Sequence, residues 1–224
     1  MENDRKISVI AGTLLLVTTL AGMVSVSFTG PTGTPDFLSR LSVNGPSIKL
    51  GALFEVVMAF AGAGISISLY PVLRKYREGL ALGAVCFRLM EAAIWIIDVI
   101  ALMLLVTLSQ EFVKAGSPPA SHHQTLGALL QSVRYWSDIW AYTAFILGAL
   151  MYYIVFFQFR LLPRWLSLWG LVGAPLWLLG VLLVLFNVTE FYSTVQVLLF
   201  LPIGLQEMVL AVWLIVKGWR AANG

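Results

Sequence analysis

Three charged side chains stand in the middle of long apolar runs, and nothing else in this chain restricts its fold so much. Arg88 and Glu91 fall midway along one hydrophobic stretch, and Glu207 falls midway along another. A charge at bilayer mid-depth costs at least ~2.5–3.5 kcal/mol unless a partner or water meets it. The chain must therefore gather these residues inside a helical bundle or open water to them.

Composition agrees. Of 224 residues, 59% are hydrophobic and 11% are charged, against about 25% charged in soluble domains. The formal net charge of +3 is too small to point to nucleic acid. Six runs, at about 7–28, 50–73, 80–108, 139–159, 165–186 and 195–216, are long enough to cross ~30 Å of hydrocarbon at 1.5 Å per residue. The first exceeds the ~7–15 apolar residues of a signal peptide and reads as a retained helix. The expected fold is an all-α membrane protein: a single domain, 1–224, of six transmembrane helices in one bundle. The segments between runs one and two, and after run three, are rich in Gly, Pro, Ser and Thr and read as external loops. Thr125–Asp138 reads as a helical lead-in to the fourth span.

Orientation follows from Lys and Arg. With the N-terminus inside, Arg5, Lys6, Arg74, Lys75, Arg77, Arg160, Arg164, Lys217 and Arg220 are cytoplasmic. Arg40, Lys49, Lys114 and Arg134 are then outside, and nine against four is a positive-inside bias. Both termini are expected in the cytoplasm, with the protein multi-pass in the inner (plasma) membrane. Small residues in the second span, among them Ala59, Gly62, Ala63 and Ser66, mark where helices approach closely.

The third span carries Arg88, Glu91, Trp95 and Asp98 at spacings of three, four and three, so all four share one helical face. Arg88 lies ~12 Å and Glu91 ~16 Å from the inner end of that span, and Glu207 lies ~15 Å from the inner end of the sixth. An Arg88–Glu91–Glu207 network is therefore expected, with Gln206 as a hydrogen-bonding neighbour. Pro202 and Gly204 interrupt the sixth span just before Gln206, as helices lining membrane sites often are. Glu55, Asp98, Arg134 and Asp138 form a second candidate group nearer the outside, with Arg134 placed to pair with Asp138 one turn on. Glu55, Glu91, Asp98 and Glu207 face one guanidinium within the spans, that of Arg88. They cannot all be ionised in a dry core, so a proton, a cation or a water-filled vestibule must compensate them.

Familiar membrane chemistry is not indicated. No lysine is mid-helix for a retinal Schiff base, and no HExxH, GxSxG or glycine-rich phosphate loop occurs. His122 and His123 read as solvated loop residues, and Cys86 as a packed one. No metal, cofactor or catalytic residue is expected.

The stretches LYPVLRKYREGLALGAVCFRLMEA, LLPRWLSLWGLVGA and LPIGLQEMVLAVWLIVKGW resemble the bacterial integral membrane proteins catalogued as domain of unknown function 4386. The resemblance covers essentially the whole chain and implies one six-helix domain with no established activity. Residues matching that pattern are Arg88, Glu91, Pro163, Arg164, Trp165, Pro202, Gln206, Glu207, Trp213, Lys217 and Gly218.

Three functional readings follow. The first is a membrane protein whose polar core binds or conducts a small solute, proton or cation. The second is a non-catalytic accessory subunit whose charges only lock its helices, with an oligomer or a partner membrane protein on an exposed face. The third is an intramembrane lipid-modifying enzyme working through paired carboxyls; an enzyme is the less favoured reading. The bilayer itself is the partner common to all three.

Overall fold

The computed structural model describes residues 2–29, 37–114 and 120–219, and these are helical almost throughout. In order they are α1 (Glu2–Thr29), α2 (Phe37–Val43), α3 (Gly45–Lys114), α4 (Ala120–Gln158), α5 (Arg164–Leu185) and α6 (Thr194–Val216). Five of these, all but α2, are long and apolar enough to cross a membrane. The runs at 50–73 and 80–108 are joined in one helical element, α3, broken by the extended backbone of Arg77 (φ −149°, ψ 86°). A straight helix would set residues 62 and 88 about 39 Å apart. Instead the Arg88 Nε donates to the Gly62 carbonyl at 3.1 Å. Thus α3 is a hairpin with a first arm (45–76) and a second arm (78–114).

The connecting segments are more ordered than their composition suggests. Within the expected first external loop, Phe37, Leu38 and Leu41 of α2 are buried against Ile48, Leu102 and Leu105 of α3. Their i, i+1, i+4 spacing gives this seven-residue helix an apolar stripe. The expected second loop is also largely helical, since α3 continues to Lys114 and α4 begins at Ala120. His122 and His123 therefore lie on a helix, and the His123 ring meets Phe112 edge-on at 5.7 Å. The loop residues 30–36 and 115–119, and Arg220, lie outside the described residues.

Packed pairs close a circuit: α1 against α3, α3 against α4, α4 against α5, α5 against α6, and α6 back against α1. Glycines mark the tightest crossings. A Cβ on Gly12 would lie 2.7 Å from the Ala211 carbonyl oxygen of α6, and one on Gly173 would lie 3.1 Å from the Ile203 nitrogen. Backbones meet this closely only where a side chain is missing. Pro71 stands inside the first arm of α3. Pro163 caps α5, and Pro175 and Pro202 stand inside α5 and α6.

One end of the bundle collects basic residues. Lys75 pairs with Asp4 at 3.1 Å, and the Trp219 indole donates to the Asp4 carbonyl at 2.9 Å. Arg5 donates to the Leu214 and Ile215 carbonyls at the end of α6, where four carbonyls have no partner within the helix. Tyr76 packs on Phe159 with ring centroids 4.9 Å apart, bringing the end of α4 to the same side. The start of α1, the α3 turn, the end of α4 and the end of α6 therefore share one face.

Candidate functional site

Arg88, Glu91, Trp95 and Asp98 on the second arm of α3 are all buried, and they belong to two polar centres at different depths.

The deeper centre is built around Arg88, which is 1% exposed. Its side chain threads between two glycines. A Cβ on Gly62 would fall 2.9 Å from Arg88 Nη2, and one on Gly148 would fall 3.1 Å from Arg88 Cγ. The guanidinium donates to the Gly62 carbonyl and lies 4.9 Å from the centroid of the Phe145 ring. Its ion pair is with Glu91, Nη1 to Oε2 at 2.8 Å. Glu207 joins less directly than expected: its Oε1 accepts from the Tyr152 hydroxyl at 3.4 Å. Glu207 is half-buried, whereas Gln206 is fully buried. Gln206 turns away from Arg88. Its carbonyl accepts from the Tyr153 hydroxyl, and its amide donates to the Leu166 carbonyl at 3.1 Å, tying α4, α6 and α5 together. Tyr152, Tyr153, Phe145 and Gly148 carried no sequence signal beyond an ordinary apolar helix. Only their spacing on α4 hints at a shared interior face.

The second centre corrects the reading of Arg134. Its ion pair is with Asp98 on α3 rather than with Asp138, Nη1 to Oδ2 at 2.9 Å, and it donates to the Asp98 carbonyl at 3.3 Å. The bundle therefore holds two guanidiniums, one fully buried and one half-buried. Glu55, on the first arm of α3, sets its carboxyl against that of Asp98. That contact is a hydrogen bond only when one of the two carries a proton, since ionised carboxylates accept and do not donate. Asp138 and the Tyr142 hydroxyl lie in the same electrostatic neighbourhood.

Between the centres runs an aromatic layer. Trp95 meets Tyr142 at 5.4 Å, Tyr142 meets Trp177 at 5.2 Å, and Trp177 meets Phe200 at 4.9 Å, each edge-on. These contacts link the second arm of α3, α4, α5 and α6. Among the described residues, no three His, Cys, Asp or Glu side chains are placed to hold a metal ion.

Fold and site together define a multi-pass helical membrane protein with ionisable residues inside its bundle. The chain belongs to the family described as domain of unknown function DUF4386, which it matches over residues 10–218. No curated protein and no solved structure matches it.

Proposed function

We propose that this is a six-span protein of the inner (plasma) membrane, both termini cytoplasmic, that binds and passes a proton or small cation through the carboxyl centres of its core. The observation that supports the activity is a mismatch of enclosed charge. Buried Glu55, Glu91 and Asp98 and half-buried Asp138 and Glu207 share the bundle with two guanidiniums, buried Arg88 and half-buried Arg134. Three carboxyls are thus left without a fixed counter-charge. Ionised groups are too costly to leave unpaired in such surroundings, so protons or cations must neutralise them. Glu91 and Asp98 are seven residues apart on one helix, about 10 Å along its axis, with the aromatic layer between them. In this reading Arg88 is the fixed counter-charge, and Glu91 and Glu207 are the exchanging groups. Asp98, Glu55, Arg134 and Asp138 form the outer station.

The six-span count rests on the α3 hairpin, each arm of which exceeds the ~20 residues that cross a bilayer. The inward orientation rests on the basic end. The accessory-subunit reading is favoured by one feature, the bond from buried Arg88 to the Gly62 carbonyl, which staples the two arms of α3 together. It leaves the excess acid of the second centre unexplained.

Proteoliposomes loaded in turn with a pH-, a sodium- and a potassium-sensitive dye test the proposal. Under an imposed membrane potential, wild-type vesicles should move protons, or sodium or potassium, faster than protein-free ones. Glu207→Gln should slow that flux at least tenfold. Wild-type vesicles as tight as protein-free ones to all three ions would rule the activity out.

A further inference from the structure

The arms of α3 are held in register on both sides of the second centre. Gly62 lies against Arg88, and Gly45 lies against Val106 and Gln110. Between these points the register sets Glu55 opposite Asp98, and the two are 4% and 0% exposed. The oxygens of Asp98 are not equivalent. Both are buried without a hydrogen-bond donor among the described residues, but Oδ2 lies 2.9 Å from the Arg134 Nη1 as an ion pair, which Oδ1 lacks. Among the described residues the ion pair of this cluster goes to Asp98 and not to Glu55, and Arg134 acts on Glu55 only from farther off.

We propose that Glu55 binds one exchangeable proton and donates it to Asp98 Oδ1, while Asp98 stays ionised against Arg134. This deepens the reading above and rests on it: the ligand of the outer station is a proton, and its seat is Glu55. One proton satisfies the orphaned oxygen, removes the carboxylate–carboxylate repulsion and leaves the arginine paired. The other charged or titratable groups facing the pair are Arg134, Asp138 and Tyr142 on α4 and Tyr192 ahead of α6. Release of the proton to water would set two carboxylates in contact, with Arg134 the cation at hand.

Infrared spectra of the full chain in lipid nanodiscs, compared in H2O and D2O at neutral pH, read the carbonyl stretch of protonated carboxyls. Wild type should show a component of that band that Glu55→Gln removes and Glu55→Asp shifts. Glutamine still donates to Asp98 Oδ1, so that variant should fold and melt like wild type at neutral pH. No band in wild type, or the same band in Glu55→Gln, would overturn the assignment. As a second reading, raising the pH should lower the melting temperature of wild type more steeply than that of Glu55→Gln, and equal slopes would also overturn it. The vesicle assay separates the two proposals. A Glu55 band with ion-tight vesicles keeps the proton site and ends conduction, whereas flux without that band does the reverse.

Discussion

At the scale of single residues, the deeper centre is a fitted cavity for one arginine. Gly62 supplies a carbonyl and, lacking a Cβ, room for Nη2; Gly148 supplies room for the stem. Gly62→Ala should therefore overpack the site and cost about 1–3 kcal/mol in thermal or denaturant unfolding. A loss below a few tenths would mean that the arginine has space to move. The two glutamates should behave differently. Glu91 is the direct partner of a buried guanidinium, so Glu91→Gln should cost roughly 3–5 kcal/mol. Glu207 accepts one long bond from Tyr152, and the carbonyl of glutamine can accept it equally, so Glu207→Gln should stay within about 1 kcal/mol. Equal losses in the two variants would contradict the geometry. The 3-4-3 spacing of Arg88, Glu91, Trp95 and Asp98 made their shared interior face legible, because helical period alone decides it. The partners of Glu207 and Arg134 were not legible. Which side chain meets which across helices depends on register and rotamer, which no local pattern encodes. The Asp98 partner of Arg134 was missed because a long stem, able to carry charge several ångströms from its own Cα, is invisible in a linear count.

At the scale of elements, apolar run length located every long helix, and it misjudged how they continue. The polar segment around His122 looked like a loop because it lacks hydrophobic residues, yet helix formation needs no apolar face where the turn can ride on a longer neighbour. Conversely, the charged stretch around Arg77 looked like an ordinary short connection, and a single extended residue makes the whole turn. The junction of α4, α5 and α6 depends on Gln206, a fully buried side chain holding the Tyr153 hydroxyl and the Leu166 carbonyl. Gln206→Leu should leave both groups unsatisfied and cost about 1–3 kcal/mol for each that finds no water. In a calorimetric scan this should appear as a lower melting temperature. An unchanged one would show that Tyr153 and Leu166 have other partners.

At the scale of the molecule, sidedness follows from how the ends are tied. Asp4 holds both Lys75 and Trp219, and Arg5 caps the end of α6. The N-terminal helix, the α3 turn and the end of α6 are therefore on one face whatever the membrane does. Lys114 lies at the far end of the second arm, 37 residues beyond Arg77 and about 55 Å along the helix. That length exceeds the hydrocarbon core, so the proposed six-span arrangement puts Lys75 and Lys114 on opposite sides of the bilayer. Their side chains are 55% and 72% exposed, open enough to label. The basic face should be cytoplasmic by the positive-inside rule. In a Cys86→Ser background, an impermeant maleimide applied to intact cells should modify Lys114→Cys and spare Lys75→Cys until the membrane is permeabilised. The reverse pattern would invert the protein and move Glu55 and Asp98 to the cytoplasmic half. Labelling of both positions in intact cells would be incompatible with α3 crossing the bilayer twice, and with it the six-span arrangement.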